Sequence, residues 1–570
     1  MTLVCLDEPS CGRGEIDVPV IDVNIEDFRD LLGRDIEIEE LMDRLPMMGT
    51  SWEGETDEGF AIEVFPNRPD LLSIEGLARA YASWTGAQTG LRDYVVYKSD
   101  YKVIVDQKTQ DIRPYFVTAV IKNVKFDDAL IRSIIQMQEK LHVTHGRRRR
   151  KVAIGIHDLS PIQFPVTYTT KPPKFQFQPL GEEEDHDLTW ILTEMKIGKE
   201  YAWTVEGFKE YPMILDSKDI VLSMPPIING EYTRVNEFTA ELFIDVTGTD
   251  LKAITEVLNV ICTTFADRGA EIHEVHNHYP DGSVLITPKL RPLEMELDNR
   301  YVNATLGVDF SPEESVAELE KMGHSAQIVW NIMKVKIPCY RTDIMHPIDL
   351  VEDIAIAHDY DNFEPTIPPL LSEAGEDPKE VFSRSFRNFL VGHGLLEVVT
   401  FMMSNRDKLF TRMELPEEPI CETENPKMEA YDSLRNRMLP STIEILSFNK
   451  HHPYPQNLYE IDDIVVIDPT TDTGARTKRR LSIVQCHARA NFSEIKAIMN
   501  SILENLELEV EVEAGGWDCF IEGRRYVAKL NRDIFCWAGE MKPEVLKNWT
   551  LEMPVAALEM DIDVLFKHLS

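Results

Sequence analysis

Two spacings of apolar residues alternate along the chain, and each spacing predicts a different kind of element. Apolar positions three or four residues apart predict helices from the Asn24 cap through Leu32, over Ile131–Leu141 and over Lys379–Val391. Runs rich in β-branched and aromatic residues predict strands at Val117–Ile121, Val152–Ile156, Trp190–Leu192, Leu242–Val246 and Leu396–Phe401. This mixture of helices and strands predicts an α+β protein with several domains.

Changes in that pattern divide the chain into four predicted domains. The 570 residues are too many for one core, and at about 150 residues per domain roughly four are expected. We predict an N-terminal α/β domain over 1–95, a mixed α+β domain over 96–275, a small module over 276–365 and an antiparallel domain over 366–570. A capping box at Ser311 and a hairpin around Trp330 predict a winged-helix-like fold for the small module.

The charge of the chain restricts the partners that it can bind. A formal net charge of −39 argues against a protein that wraps nucleic acid over its whole surface, so DNA binding is not expected. Two basic runs interrupt the acidity, RRRRK at Arg147–Lys151 and RTKRR at Arg476–Arg480. Each run is either a solvated surface or a local contact for a polyanion.

Hydropathy and cysteine usage predict a cytoplasmic protein. The start of the chain is acidic and mixed, and no apolar stretch of about 18 residues interrupts the sequence, so neither a signal peptide nor a membrane span is expected. The eight cysteines are scattered without a C-x-x-C pair. This spacing predicts neither a disulfide framework nor a zinc site.

Four carboxylates cluster around one predicted helix. Pro347 is typical of a first helical position, which places Asp349, Glu352 and Asp353 at i, i+3 and i+4 on one outward face, with Asp343 just upstream. Because no His or Cys lies among them, these oxygen ligands suit Mg²⁺ or Ca²⁺. Acids in a first helical turn also stabilise the helix dipole without any metal.

A second candidate site lies on the predicted strand at Leu242–Val246 and its continuation. Asp245 and Thr247 fall on one strand face, and Ile244 and Val246 fall on the other. An acid and a hydroxyl on one face are suited to line a polar pocket. The alternative is that Thr247 simply ends the strand in a turn.

Two strings that do not overlap resemble the β subunit of phenylalanyl-tRNA synthetases. One is PNRPD-x-L-S-x-E-G-x-A-R from Pro66 to Arg79, and the other is D-L-x-E-D-I-A from Asp349 to Ala355. The second string is similar to the magnesium-binding segment of that family. The resemblance therefore implies Mg²⁺ at four carboxylates, Asp343, Asp349, Glu352 and Asp353.

The resemblance also implies a function for the domain at 96–275. That domain is similar to the editing domain of archaeal and eukaryotic β subunits, which hydrolyses tyrosine wrongly attached to the tRNA for phenylalanine. Asp245 is then expected to accept the phenol hydroxyl, because a site that hydrogen-bonds a hydroxyl strongly rejects the analogue lacking it. Weaker candidates for holding substrate or a hydrolytic water are Thr247, Ser223, Asn229 and Glu231. Possible tRNA contacts are Arg147, Arg148, Arg149, Arg150 and Lys151.

The C-terminal strings Arg435–Pro440 and Glu522–Arg524 are similar to the class II synthetase-like domain of the same subunit. A glycine-rich ATP motif with its closing Arg is missing, so the resemblance implies an inactive domain that packs against an active α subunit. ATP is then a substrate of the complex. The expected assembly has two α and two β chains and acts on tRNA(Phe).

Two other functional classes stay open at this stage. A free-standing hydrolase of misacylated tRNA would also explain the middle domain, and it would act without an α chain. A metal-dependent phosphodiesterase would use the carboxylates catalytically. The sequence shows no second acidic or His cluster of the kind that a two-metal reaction requires, which disfavours the phosphodiesterase.

Overall fold

The computed structural model describes residues 19–367, 374–426 and 428–569. The chain divides into two compact units, an N-terminal unit at Met1–Ile367 and a C-terminal unit at Pro368–Ser570. Helices and sheets occur together in both units, which confirms the predicted α+β, multidomain class. No helix within the described ranges is both long enough and apolar enough to cross a bilayer.

The N-terminal unit begins with three helices beside an antiparallel three-stranded sheet of order β1-β3-β2. Its elements are β1 (Val20–Asn24), α1 (Ile25–Leu32), α2 (Ile38–Arg44), β2 (Thr50–Thr56), β3 (Gly59–Val64) and α3 (Ile74–Trp84). The Asn24 side chain accepts hydrogen bonds from the N–H groups of Glu26 and Asp27, and Gly33 ends α1 in the left-handed conformation. The predicted helix from the Asn24 cap through Leu32 is therefore confirmed.

Two larger sheets form the middle of this unit. A five-stranded sheet has the order β4-β15-β6-β14-β7, and a seven-stranded sheet has the order β13-β12-β11-β8-β5-β16-β17. Their strands are β4 (Val96–Tyr97), β5 (Lys102–Val105), β6 (Tyr115–Lys122), β7 (Val152–Asp158), β8 (Val166–Lys171), β11 (Tyr211–Leu215), β12 (Val221–Met224), β13 (Ile228–Asn229), β14 (Leu242–Gly248), β15 (Glu271–His273), β16 (Val275–His278) and β17 (Val284–Thr287). A separate pair is β9 (Gln176–Phe177) with β10 (His186–Asp187), and the helices are α4 (Asp128–Val143), α5 (Leu188–Thr193), α6 (Lys196–Tyr201) and α7 (Leu251–Asp267).

Strand β14 lies between β6 and β7, and its pairing fixes the candidate site. Asp245 stands opposite Thr118 on one side and Gly155 on the other. Ile244 and Val246 point into the core that includes α7, as the period of two predicts. The opposite face of β14 carries Phe243, Asp245 and Thr247.

The strand predicted at Trp190–Leu192 is wrong. These residues lie inside the helix α5, whose first turn is capped by Asp187 through a hydrogen bond from the Trp190 N–H. Three apolar residues are too few for periodicity to separate a strand from a buried helical turn. The local cap decides the structure here.

A small three-stranded sheet of order β18-β20-β19 packs with three helices at the end of the unit. Its elements are β18 (Leu293–Asp298), α8 (Asn299–Leu306), α9 (Pro312–Lys321), β19 (Ser325–Val329), β20 (Ile332–Ile337) and α10 (Pro347–His358). The capping box at Ser311 and Glu314 is present, and Trp330 takes a left-handed turn between β19 and β20. Both local predictions for this segment are confirmed.

The C-terminal unit is built on a seven-stranded sheet of order β21-β24-β25-β29-β28-β27-β26, antiparallel except for the β21–β24 pair. Its elements are α11 (Pro378–Gly392), β21 (Leu396–Glu397), β22 (Met403–Ser404), β23 (Ser433–Leu434), α12 (Leu439–Phe448), β24 (Gln456–Ile467), β25 (Ala475–Cys486), α13 (Phe492–Asn505), β26 (Glu511–Ala514), β27 (Phe520–Leu530), β28 (Asp533–Met541), α14 (Pro543–Asn548), β29 (Val555–Asp561) and α15 (Ile562–Leu569). The strand predicted at Leu396–Phe401 is shorter than expected, because Thr400 leaves the ladder to bond the Glu460 carboxylate.

Candidate active site

A cavity of about 630 Å³ opens beside the polar face of β14. Its walls come from α4, β7, β12, β13 and the segment that leads to β14. Most of the wall is apolar, from residues such as Ile134, Ile154, Met224 and Ile227. Its volume and mostly apolar lining are those of a small-molecule site.

One end of the cavity carries a chain of three buried polar side chains. The Asp245 Oδ2 lies 2.7 Å from His157 Nε2, and His157 Nδ1 lies 2.8 Å from the Thr233 hydroxyl. An ionised carboxylate only accepts, so the His157 Nε2–H donates to Asp245, and a neutral ring then accepts from Thr233. This arrangement fixes the Asp245 carboxylate in place while its side chain still faces the cavity.

Gly155 makes room for that pair. A Cβ at this position would lie 2.0 Å from the Asp245 Oδ2 and 2.7 Å from His157 Nε2. No side chain can be accommodated there without moving the carboxylate. The glycine is therefore part of the site.

Thr247 lines the same cavity and is held by a buried arginine. Arg113 donates from Nε to the Thr247 hydroxyl at 2.9 Å and from a terminal nitrogen to the Thr247 carbonyl at 2.8 Å. Burial lowers the pKa of Arg113 to about 10. Since the Thr247 oxygen accepts from Arg113, its own O–H is oriented to donate elsewhere.

Ser223 and Asn229 also lie in the wall, on the paired strands β12 and β13. The Ser223 hydroxyl is buried and has no hydrogen-bond partner within the described part of the chain. Glu231 lies beside the cavity and not in its wall, because its carboxylate accepts from the Gly181 N–H and from Arg234. Four of the five residues predicted for this pocket thus lie in its wall.

Sequence reasoning missed His157, Thr233 and Arg113. His157 and Thr233 are 88 and 12 residues away from Asp245, and Arg113 is 134 residues from Thr247. No local spacing connects such residues. The available signal was weak: His157 directly follows the predicted apolar strand, Val152–Ile156.

A second polar cluster lines the cavity on the side of α4. Arg149 donates to the Glu139 carboxylate at 3.1 Å, and His142 Nδ1 lies 3.7 Å from the same carboxylate. The Ile154 N–H donates to His142 Nε2 at 2.9 Å. Burial lowers the pKa of His142, whereas the neighbouring His142 and Arg149 hold the pKa of Glu139 below its ordinary value.

The first basic run is divided by its backbone. Arg147, Arg148 and Arg149 have φ of 49°, 53° and 64°, a left-handed turn that leaves Arg147, Arg148 and Arg150 exposed and buries Arg149. Arg149 donates to the Pro226 and Ile227 carbonyls and stacks on Tyr201. Lys151 pairs with Asp250 at 3.2 Å. Arg149 therefore belongs to the cavity wall and not to an outer surface.

The second basic run is neutralised by acids within its own unit. Arg479 pairs with Asp463 and Glu380, and Arg480 pairs with Asp561. Arg476 likewise pairs with Asp468, and Lys478 lies near Asp561. These partners do not favour RTKRR as a surface for a polyanion.

The four predicted metal ligands do not point the same way. Asp353 is buried, and its carboxylate accepts from Arg341 and from His324. Asp343 forms a bidentate pair with the same arginine, and Asp349 accepts the N–H groups at the start of α10. The prediction that Asp353 faces outward with Asp349 and Glu352 is wrong, because partners distant in sequence draw it into the interior.

This arrangement does not fit a magnesium ion held by all four carboxylates. Although burial alone would raise the pKa of Asp353, the Arg341 guanidinium and the His324 N–H hold it well below its usual range. Arg341 occupies the place of a cation between Asp343 and Asp353. Among the residues that the structure describes, no group of three or more His, Cys, Asp or Glu side chains converges to hold a metal ion.

Comparison with known families identifies two segments. A model described as the phenylalanyl tRNA synthetase beta chain CLM domain matches residues 364–562, and a tRNA synthetase B5 domain model matches residues 295–360. The B5 match spans the small sheet and α10. The CLM match spans most of the C-terminal unit.

Whole-chain relatives extend the similarity to the N-terminal unit. The phenylalanine–tRNA ligase beta subunit of Archaeoglobus fulgidus is 40% identical over 554 residues, which cover 96% of this chain and 99% of the relative. That of Pyrococcus horikoshii is 38% identical over 558 residues, covering 97% and 100%. The crystal structure of an N-terminal fragment of the Pyrococcus horikoshii subunit is 39% identical, with a TM-score of 0.58 over 60% of this chain and 99% of that fragment. The chain belongs to the family of phenylalanine–tRNA ligase beta subunits.

Proposed function

We propose that the cavity beside β14 proofreads tRNA(Phe) by hydrolysing wrongly attached tyrosine. The observation that carries this proposal is one buried carboxylate, Asp245, which His157 fixes in the wall of a mostly apolar cavity. The aromatic ring suits the apolar wall, and the phenol O–H donates to Asp245. Thr247 and Ser223 supply further hydroxyls close to the bound group.

Discrimination follows from the cost of leaving Asp245 without its ligand hydroxyl. A phenylalanyl group would fill the same apolar volume and would exclude water, yet it offers no donor to the carboxylate. An unpaired buried polar group costs about 1–3 kcal/mol, and more when it is charged. The phenylalanyl ester, the correct product, is thereby left intact.

We propose that the chain acts with an α subunit, as the names of its relatives indicate for the ligase as a whole. In this division the α chain joins phenylalanine to tRNA(Phe) with ATP, and two copies of each chain form the assembly. The C-terminal unit, a class II synthetase-like domain without ATP chemistry of its own, supports that partner. Charged tRNA is consumed by translation, which favours a cytoplasmic location.

Contact with tRNA is proposed at Arg147, Arg148 and Arg150. These side chains are exposed on the same turn that places Arg149 in the cavity wall. In a chain with a net charge of −39, such a local group of cations is suited to the phosphates near the aminoacyl end.

Magnesium at the start of α10 is proposed only for Asp349 and Glu352, and any further ligands of the ion would then come from other residues or from water.

The test is a charging assay on the chain purified together with its α partner. Asp245→Ala and the isosteric Asp245→Asn should leave charging with phenylalanine unchanged, while tyrosyl-tRNA accumulates when tyrosine is supplied. The accumulation is expected because the missing carboxylate no longer holds the phenol. The measurement is the amount of each ester on tRNA at a fixed time.

Asp281→Ala is the matched control, because Asp281 is exposed on a turn of the same unit and lies outside the cavity wall. It should clear tyrosyl-tRNA as the unaltered chain does. Equal clearance by both Asp245 variants would refute the assignment of the pocket.

A further inference from the structure

The second polar cluster of the cavity, Glu139 with His142 and Arg149, is not needed to recognise a phenol. It lies on α4, across the edge strand β7 from β14. Asp245 and this cluster line the same cavity on either side of β7, and neighbouring strands lie only about 4.8 Å apart. With the ring at Asp245, we therefore place the ester end of the tyrosyl group towards α4.

One N–H donor of this cluster, Arg149 Nε, has no acceptor within the described chain, and Arg149 as a whole residue is more than nine-tenths buried. His142 Nε2 accepts from Ile154, which leaves the proton of a neutral ring on Nδ1. That Nδ1–H faces the Glu139 carboxylate at 3.7 Å, so His142 and Arg149 both hold the carboxylate from its buried side.

The same hydrogen bond excludes His142 as a base. Its only basic nitrogen, Nε2, is occupied by the Ile154 N–H. Asp245 accepts from His157 and, in the proposed function, from the phenol at the other end of the cavity, away from the ester. Glu139 differs from both, since its side chain is 52% exposed and water reaches it directly.

We propose that Glu139 holds and deprotonates the hydrolytic water of the proofreading reaction, an inference that rests on the function proposed above. The water oxygen attacks the ester carbonyl carbon while the Glu139 carboxylate takes its proton. The bond between that carbon and the ribose oxygen then breaks, and the ribose oxygen takes the proton back from Glu139. The products are free tyrosine and tRNA with its terminal hydroxyl restored.

The contact with Arg149 orients this carboxylate. Arg149 itself is fixed by two carbonyls of the Pro226–Ile227 segment and by stacking on Tyr201. The pair thus joins a rigid, buried cation to a carboxylate at the mouth of the cavity. A purely structural ion pair would have no need to lie in the wall of the cavity.

Glu139→Gln in the complex with α, given preformed tyrosyl-tRNA, tests the proposal. General base catalysis contributes about 10²–10⁴-fold, so kcat for deacylation should fall at least about 100-fold while KM changes less than twofold. Glu139→Asp should recover part of the rate, because it restores a carboxylate. Glu206→Gln, the loss of one exposed carboxylate outside the cavity, should have no effect.

Each other outcome overturns a defined part of this inference. Full activity of Glu139→Gln alongside impaired Asp245→Ala overturns the role of Glu139 and leaves the proofreading function intact. A raised KM with unchanged kcat also overturns it, because Glu139 would then only bind substrate. Failure of the unaltered complex to hydrolyse tyrosyl-tRNA would instead refute the proposed function itself. An unchanged thermal unfolding midpoint of Glu139→Gln verifies that the variant is folded.

Discussion

At the scale of the residue, the position of the Asp245 carboxylate depends on two residues of β7, one that leaves space for it and one that donates a hydrogen bond to it. Gly155 faces it across the β14–β7 pair and presents no side chain. His157, two residues further along β7, supplies the hydrogen bond that holds the carboxylate. One strand thus provides both the space and the donor.

Gly155→Ala should abolish tyrosine clearance while charging with phenylalanine continues. The new methyl group would lie 2.0 Å from Asp245 Oδ2, so the carboxylate must move or the strands must separate. Overpacking of this kind costs about 1–3 kcal/mol. The measurement is deacylation of tyrosyl-tRNA, together with the free energy of unfolding.

Gly392→Ala serves as the control, because nothing lies within 4 Å of a Cβ there and its φ is not positive. It should match the unaltered chain in both assays. Normal clearance by Gly155→Ala would show that the site does not require the observed position of Asp245.

Residue-scale prediction succeeded where one strand carried the information. Asp245 and Thr247 share a face because side chains alternate along a strand, and no tertiary knowledge is needed for that. The partners of these residues come from elsewhere in the chain, at separations of 88 residues for His157 and 134 for Arg113. The periodicity of apolar residues does not predict contacts between residues that are so far apart in sequence.

At the scale of the element, helix α10 buries one of its charged side chains, Asp353. Its spacing places Asp353 near Asp349, but the helix is buried over a wide face that includes Asp353. The residues that stabilise this buried carboxylate are Arg341, on the loop before α10, and His324, between α9 and β19. The helix was therefore predictable from sequence, and the direction of its charges was not.

Arg341→Met should destabilise the N-terminal unit by about 3 kcal/mol. Removal of one partner leaves the Asp353 carboxylate buried beside an apolar side chain, and breaking such pairs typically costs about 3–5 kcal/mol. The measurement is chemical denaturation followed by fluorescence. Arg300→Met is a suitable control, because the Arg300–Asp298 pair is exposed, and its removal should leave the midpoint unchanged. A stable Arg341→Met variant would mean that the buried pair does not stabilise the fold.

The left-handed turn at Arg147–Arg149 is a second case in which the sequence does not predict the direction of charged side chains. The sequence RRRRK predicts a uniform basic surface, whereas three successive positive φ values direct one arginine inward. Each such residue costs about 1–2 kcal/mol outside glycine. The contacts of Arg149 with Pro226, Ile227, Tyr201 and Glu139 offset that strain.

At the scale of the whole molecule, family membership was predictable because it rests on strings of residues and not on contacts. The string from Pro66 to Arg79 illustrates the difference. In the structure Arg68 pairs bidentately with Asp70, and Arg79 pairs with Asp267, so these residues hold the unit together. The string identifies the family although its residues lie outside the candidate active site.

The acidity of the chain leaves few places for tRNA. Of its two basic runs, one is paired with acids and the other presents three exposed arginines, Arg147, Arg148 and Arg150, on the turn beside the cavity. Both the exposed arginines and the mouth of the cavity belong to the N-terminal unit. We therefore expect the aminoacyl end of tRNA to be received there.

The ratio of two hydrolysis rates tests this assignment most directly. The unaltered chain, in its complex with α, is given preformed tyrosyl-tRNA(Phe) in one reaction and preformed phenylalanyl-tRNA(Phe) in another. The release of the amino acid is measured over time in each reaction. We predict that the tyrosyl ester is hydrolysed at least about 100-fold faster, because of the two side chains only tyrosine has a hydroxyl that donates to Asp245. Equal rates for the two esters, or no hydrolysis of the tyrosyl ester, would contradict a proofreading cavity in this chain.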